Sequence, residues 1–367
     1  MKTMALTGTG GAASIGFTRS IRDSGKKIRV VGTDANLINL PFSEADVNYI
    51  IPRANEPDYL EKLNGIIDAE GAEFIHAQPD PEVNFISKNR DKIKAKTLLP
   101  SHDAVEICQN KFKSYEAWSK AGIVLPKTIF INSEDDLKKA FTEIQTPFWI
   151  RAVKGAGGRG SFIVKEYEQA KVWIDHWKGW GNFVASELLP GRLLTWQSLW
   201  YEGELVCAQG RERLSWGLAQ TAITGVTGMT GVARNVSIPE LDEISEKAIH
   251  AAEKQKPHGI YGVDLKCNTD GVPCPTEINI GRFFTTIHFF TKAGLNMPSM
   301  LLDLAEGNVP SLPKKLNPIE GEFFWIRTVD AKPAFLTREQ LRQTSKNDVD
   351  VDKILQPDSS VKYFSST

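Results

Sequence analysis

Two carboxylates and one amide recur at a telling spacing around a turn in the second half of the chain. In residues 262–279 (GVDLKCNTDGVPCPTEIN), Asp270-Gly271 carries a strong hairpin signal. A two-residue loop there sets Thr269 opposite Val272 and, counting outward, Asp264 opposite Glu277. Side chains alternate along a strand, so Asn279 shares the face of Glu277. Facing carboxylates repel unless a cation or a proton lies between them. Hard oxygens from only a few side chains suit Mg²⁺, which keeps nucleotide oxygens and water as its other ligands. A solvated acidic face is the alternative, and the flanking Leu265 and Ile278 favour the buried, metal-binding reading. Pro273 and Pro275 weaken the ladder and would demote one strand to a sheet edge.

Residues 151–160, RAVKGAGGRG, bring a second kind of chemistry. The glycines Gly155, Gly157, Gly158 and Gly160, with Ala156 between them, let backbone N–H groups approach an anion closely. Arg151 and Lys154 add positive charge at the same place. Phosphate binding and a flexible surface hairpin both fit this loop taken alone. Farther on, Arg211 and Arg213 share one face of a strand-like run. Paired guanidiniums suit a carboxylate or an acyl phosphate, and a surface ion-pair strand fits equally well. The Thr/Gly-rich stretch 221–231 follows and reads as a mobile substrate loop.

These groups need a scaffold, and the pattern supplies one. Strand, glycine turn and helix alternate from residue 3 to residue 77, which predicts a parallel sheet with helices on both faces. A helix over 110–121 leads into a small α+β unit with strands at 128–131, 148–153 and 161–164. A β-rich region with one helix over 240–255 follows, and residues 322–327 read as one more strand before a polar tail. Gln78, Asp80 and Glu82 follow a strand of the first sheet. They could line an acceptor site, but the preferred reading is that Asp80 caps the next helix. His288 reads as structural.

The 367 residues carry 44 basic and 45 acidic side chains, a net charge of -1, so no bulk attraction to nucleic acid or to a membrane surface is expected. No apolar run is long enough to span a bilayer. Cys108, Cys207, Cys267 and Cys274 are scattered and read as reduced thiols, which points to a cytoplasmic location. Cys267 and Cys274 could face each other, and they read as buried thiols rather than metal ligands.

Together the motifs resemble the ATP-grasp superfamily, and within it proteins similar to the carbamoyl phosphate synthetase large subunit. The resemblance covers residues 1–307 as an ordered series: Gly8-Thr9-Gly10-Gly11, then Lys111 at a helix start, then the basic strand and glycine loop. Glu187-Leu188-Leu189-Pro190-Gly191 and Asp264…Glu277-Ile278-Asn279 complete it. It implies an α/β chain with a Rossmann-like pre-ATP-grasp domain (1–109), a small α+β lid (110–189), a larger metal- and substrate-binding part (190–310) and a C-terminal extension (311–367). Lys111 and Arg151 would contact ATP phosphates, with Lys154 and the loop 155–160 closing over them. Glu187, Leu188 and Leu189 would hold the adenine. Asp264, Glu277 and Asn279 would bind one or two Mg²⁺, for which Mn²⁺ could substitute.

The implied activity is a carboxylate–amine ligase. A small-molecule carboxylate is activated as an acyl phosphate and then taken by an amine or other nucleophile, in a chain compatible with a homodimer. Two departures stand out. The residues after the linker glycine, Arg192-Leu193-Leu194-Thr195, include no acid for the ribose. The family's Asn-Pro-Arg becomes Asn279-Ile280-Gly281-Arg282, which moves the arginine meant for the phosphoryl group by one place. Two other readings compete. Gly8, Gly10, Ala13 and Asp34 also fit a dinucleotide fingerprint, hence an NAD-dependent oxidoreductase. A non-catalytic nucleotide-binding regulator would use the same fold.

Overall fold

The computed structural model describes residues 1–154, 160–221, 225–329, 334–342 and 352. Four strands, β1 (Thr3–Thr7), β2 (Arg29–Asp34), β3 (Val47–Ile50) and β4 (Phe74–His76), form a parallel sheet in the order β3-β2-β1-β4. Parallel neighbours require crossovers, and α1 (Ala12–Asp23) and α2 (Tyr59–Glu70) supply two of them. Met4, Ala5, Leu6, Val30 and Val31 are fully buried, as strands covered on both faces must be. Three helices, α3 (Asp80–Lys88), α4 (His102–Cys108) and α5 (Lys111–Lys120), lead out of this sheet.

The glycine turn after β1 has an internal occupant. A side chain on Gly10 would come within 2.1 Å of the Asn39 carbonyl oxygen, so this segment lies directly over the turn. Asp34 already accepts hydrogen bonds from the Gly10 and Asn36 amides, at 3.2 and 2.9 Å, and from Asn39. Both recognition elements of the dinucleotide fingerprint are thus spent on the chain's own backbone.

A second sheet is antiparallel. It contains β5 (Thr128–Ile131), β6 (Phe148–Ala152), β7 (Phe162–Val164) and β8 (Phe183–Glu187), in the order β5-β8-β6-β7. Helices α6 (Glu134–Glu143) and α7 (Tyr167–His176) bury Leu137, Ala140 and Ile174 against Phe148, Ile150 and Ala185 in a core of its own. A capping box between Ser133 and Asp136 starts α6.

The third sheet positions the chemistry. Its strands are β9 (Leu193–Tyr201), β10 (Glu204–Trp216), β11 (Thr230–Val236), β12 (Gly259–Cys267), β13 (Pro273–Ile280), β14 (Phe323–Ile326) and β15 (Ala334–Thr337). Their order is β13-β12-β9-β10-β11-β14-β15. Four helices accompany them: α8 (Pro239–Ala252), α9 (Ile287–Lys292), α10 (Met297–Ala305) and α11 (Arg338–Arg342). Trp196, Val263, Leu265 and Ile278 belong to the core that also holds Leu241, Ala248 and Ile249 of α8. On the alternate positions, Leu199, Cys207 and Ile260 pack with Phe289, Phe290 and Leu301, and with Phe17 of α1. Farther along the same strands, those alternate positions become Thr195, Arg211, Arg213, Asp264 and Lys266. One face of the sheet therefore passes from an apolar seat for α1, α9 and α10 to a polar floor.

Glu82 in α3 is a buried acid outside that floor. Tyr59 donates to its Oε1 at 2.7 Å. Burial pushes the Glu82 carboxyl up from 4.5 to about 7, despite the opposing hydrogen bonds of Tyr59 and Thr7. The native state thus keeps a proton that the unfolded chain releases. The associated stability is fully present below about pH 4.5 and is lost as pH rises through about 7. Glu82→Gln should flatten the decline in melting temperature between about pH 5 and about pH 8, measured by calorimetry beside the parent chain. An unchanged slope in the variant would assign the decline to other groups.

Candidate active site

The acidic hairpin has the expected facing pair but reaches it by a different route. Asp264 stands opposite Glu277, yet Leu265 pairs with Pro275 and Cys267 with Pro273. The turn is longer than two residues: the Asn268 amide donates to the Val272 carbonyl, and Asn268 Oδ1 accepts from the Asp270 and Val272 amides. A bulge at Thr276, whose hydroxyl donates to the Asp264 carbonyl at 3.1 Å, restores the register. The prolines lie in β13, at the sheet edge, where their missing N–H groups cost least.

Asp264, Glu277 and Asn279 line one cavity of about 590 Å³, together with Arg151, Arg211, Arg213 and Arg282. Asp264 accepts from Thr195 Oγ1 at 2.6 Å and from Asn279 Nδ2 at 2.9 Å. Lys111 Nζ lies 3.7 Å from Glu277 Oε1. Burial draws the Lys111 ammonium below its ordinary range, and Glu277 opposes this. Lys111 is the first residue of α5, behind the Asn110 cap, and its amide donates to the Val153 carbonyl, which ties the helix start to the end of β6. Arg151, on β6, is likewise pulled down by burial and supported by Glu277 and then Asp264.

The nucleotide-loop residues divide. Gly155, Ala156, Gly157, Gly158 and Arg159 lie outside the described residues. Gly160 closes the loop in the left-handed region at φ +72°. Lys154 is exposed and lines a neighbouring cavity of about 810 Å³, which shares Glu277 and Arg282 with the first. Glu187 and Leu189 line the 590 Å³ cavity, whereas Leu188 is half-buried and does not.

Arg211 and Arg213 do not form a surface ion-pair strand. Arg211 is 1% exposed, donates to Thr286 and Thr195 hydroxyls at 2.7 Å each, and stacks over Phe284 at 4.5 Å. Burial, then the repulsion of Arg213, lowers its guanidinium to about 9. Arg213 donates to Thr230 Oγ1 at 3.0 Å and lies 3.7 Å over Trp216. Thr230 and Gly231 begin β11, so the stretch 221–231 is loop only in its first part. Of it, residues 222–224 lie outside the described residues.

One further expectation is revised. Asp80 does not cap α3: the cap position is Pro79, and Asp80 instead pairs with Arg282 Nε at 2.5 Å. The displaced arginine is accommodated by Gly281, whose φ of +71° turns the chain out of β13. Arg282 then donates back to Asn279 Oδ1. His288 contacts Asp23 at 2.8 Å, away from the cavity, and Gln78 bonds His76 and the Phe283 carbonyl. Arg192, the first residue after the linker glycine, pairs with buried Glu212 on the opposite side of β10.

Lys266 and Arg327 are cavity residues that the sequence reading missed. Lys266 was findable, since it lies two residues along from Asp264 and so shares its face. Burial lowers its ammonium to about 8. Arg327 follows β14, and nothing local ties it to Thr230, nearly a hundred positions earlier in the chain.

A two-part α+β body, with an acidic hairpin and a basic strand facing one cavity between its sheets, is an ATP-grasp arrangement. Residues 108–286 match the ATP-grasp domain family. The fold is similar to the biotin carboxylase domain of Hydrogenobacter thermophilus 2-oxoglutarate carboxylase, a dimer solved with MgADP, ADP and bicarbonate. That likeness has a TM-score of 0.66 at 18% identity and covers 89% of this chain and 74% of that one. Among curated relatives, methylcrotonoyl-CoA carboxylase subunit alpha of Dictyostelium discoideum is 29% identical over 186 residues, 47% of this chain and 26% of the relative. A probable alpha-L-glutamate ligase of Alkalilimnicola ehrlichii is 24% identical over 183 residues, 46% of this chain and 52% of the relative. The chain thus spans about half or less of the length of these curated relatives. Among the described residues, no helix is long and apolar enough to cross a membrane.

Proposed function

We propose that this chain is an ATP-dependent ligase that activates a small-molecule carboxylate as an acyl phosphate and passes the acyl group to an amine or other nucleophile. The observation that carries this reading is the meeting of an acidic face (Asp264, Glu277, Asn279) with buried Arg211 and the half-buried Arg151, Arg213 and Arg282 in one cavity. Two carboxylates and an amide on one face are a hard-oxygen donor set that fits Mg²⁺ with ATP, and these three residues would hold it. The metal, when bound, neutralises charge on the transferring phosphoryl group.

The remaining roles fall to the chain. Lys111 and Arg151 sit beside Glu277 and are assigned to the phosphates, as is Lys154. Glu187, Leu188 and Leu189 are assigned to the adenine, and Lys266 to the ribose end in place of the missing acid. Arg211 and Arg213 orient the acid so that one carboxylate oxygen attacks the γ-phosphorus and ADP leaves. Arg282, held by Asp80 and Asn279, faces the acyl phosphate. The nucleophile then displaces phosphate from the acyl carbon. As in the similar biotin carboxylase domain, a dimer is the proposed assembly.

The test is ADP release from MgATP against a matrix of carboxylates and amines, with mass analysis of the products. The reading requires ADP release that depends on a carboxylate and yields an acylated nucleophile. ATP binding with no acid-dependent ADP release across the matrix would favour a non-catalytic nucleotide-binding protein.

A further inference from the structure

We infer that the acid activated by this chain carries a second anionic group, held by Arg213 and Arg327 where the two meet at Thr230. The inference rests on the ligase reading and names the substrate class of the same site.

The cavity has a direction. Asp264 accepts from Thr195, and Thr195 in turn accepts from Arg211, so Arg211 is two hydrogen bonds from the acidic face. Arg213 and Arg327 meet instead at Thr230, on β11: Arg213 Nε donates to its hydroxyl at 3.0 Å and Arg327 Nε to its carbonyl at 2.8 Å. Arg327 also reaches Thr285 Oγ1 at 3.3 Å. Among the described residues, none of these three arginines forms an ion pair with an acid, and their partners are hydroxyls and carbonyls. Burial lowers both Arg211 and Arg213, neighbouring arginines add to this by repulsion, and Asp264 opposes it in both, without forming an ion pair with either.

Clustering like charges in a partly buried place is costly without an anion to offset them. One carboxylate presents two oxygens, which a single guanidinium fork engages fully. Arg211 beside the acidic face supplies that fork for the carboxyl that receives the phosphoryl group. Arg213 and Arg327 then remain as a second fork on a different strand pair. Trp216 covers one face of Arg213 and leaves its edge for a planar or tetrahedral anion. Two subsites, each cationic, fit an acid with two anionic groups: a dicarboxylate, or a carboxylate bearing a phosphate or phosphonate.

The test uses the full chain with MgATP and hydroxylamine, which converts an acyl phosphate to a hydroxamate and releases phosphate. Butanoate, succinate and 3-phosphonopropanoate are compared, as are pentanoate, glutarate and 4-phosphonobutanoate. At least one dianion should exceed its monoacid in kcat/KM by about tenfold or more, the lower bound for a charge-assisted contact. The better of the carboxylate and phosphonate members identifies the second group. Arg327→Gln should bring the dianion-to-monoacid ratio toward one, mainly through KM, and Arg213→Gln serves if the first variant fails to fold. Equal efficiency of monoacids and dianions, or an unchanged ratio in both variants, would overturn the inference and leave the ligase reading standing. Absence of hydroxamate and ADP release with every acid would remove both.

Discussion

Glu277→Ala is expected to lower MgATP-dependent turnover by about 10²- to 10³-fold, the range for losing one group that stabilises transition-state charge. Glu277 faces Asp264 across the hairpin, sits 3.7 Å from Lys111 and borders both cavities. It is also the largest electrostatic support of Arg151. Removing it leaves a metal face with one carboxylate and leaves Lys111 and Arg151 to repel each other. The accompanying signature is thermal: a ligand at a hundred times its Kd stabilises a fold by about 2.7 kcal/mol, and the variant should lose most of the Mg²⁺-dependent part. Melting temperatures with ATP, with and without Mg²⁺, separate this from a general loss of stability. Equal Mg²⁺-dependent stabilisation in Glu277→Ala would count against the metal assignment.

Arg211→Ala should act on the acid rather than on ATP. A hydrogen bond to a charged group contributes roughly 1.5–3 kcal/mol, so acid-dependent ADP release should fall about 10- to 150-fold. Nucleotide affinity should change by less than about threefold, because Arg211 touches Thr195 and Thr286 and reaches Asp264 only through the first. Arg211→Lys should restore little. A single ammonium cannot keep both threonines and also offer a planar fork to the acid. Calorimetry of ATP binding beside steady-state kinetics distinguishes the cases. Equal loss of ATP binding and turnover would move Arg211 to the phosphate site, and no loss of either would leave it a structural residue.

The local elements of this fold were readable because their signals are local. The strand Thr3–Thr7, the helix Tyr59–Glu70 and the strand Thr128–Ile131 follow from apolar period and flanking turn residues alone. The pairing of Asp264 with Glu277 was reached through two errors that cancel, a turn one residue longer than assumed and a bulge at Thr276. Bulges leave no pattern in composition, so a register argument sees only their sum. Long-range partners were invisible for a different reason. Asp80 looked like a cap because acids favour helix starts, and its true partner, Arg282, lies some two hundred positions away. Arg327 required knowing that β14 lies beside β11. The dinucleotide fingerprint shows the converse: Gly8, Gly10 and Asp34 carry the right pattern, and Asn39 fills the space where a ligand would sit.

Formation of an acyl phosphate is the central claim, and oxygen-18 in the carboxylate of the accepted acid tests it most directly. If a carboxylate oxygen attacks the γ-phosphorus beside Asp264 and Glu277, and the nucleophile then displaces phosphate, one labelled oxygen must leave with that phosphate. Mass spectrometry of the inorganic phosphate should show one oxygen-18 per turnover, with the other retained in the acylated product. Unlabelled phosphate, with both labelled oxygens still in the acid or in its product, would contradict the account.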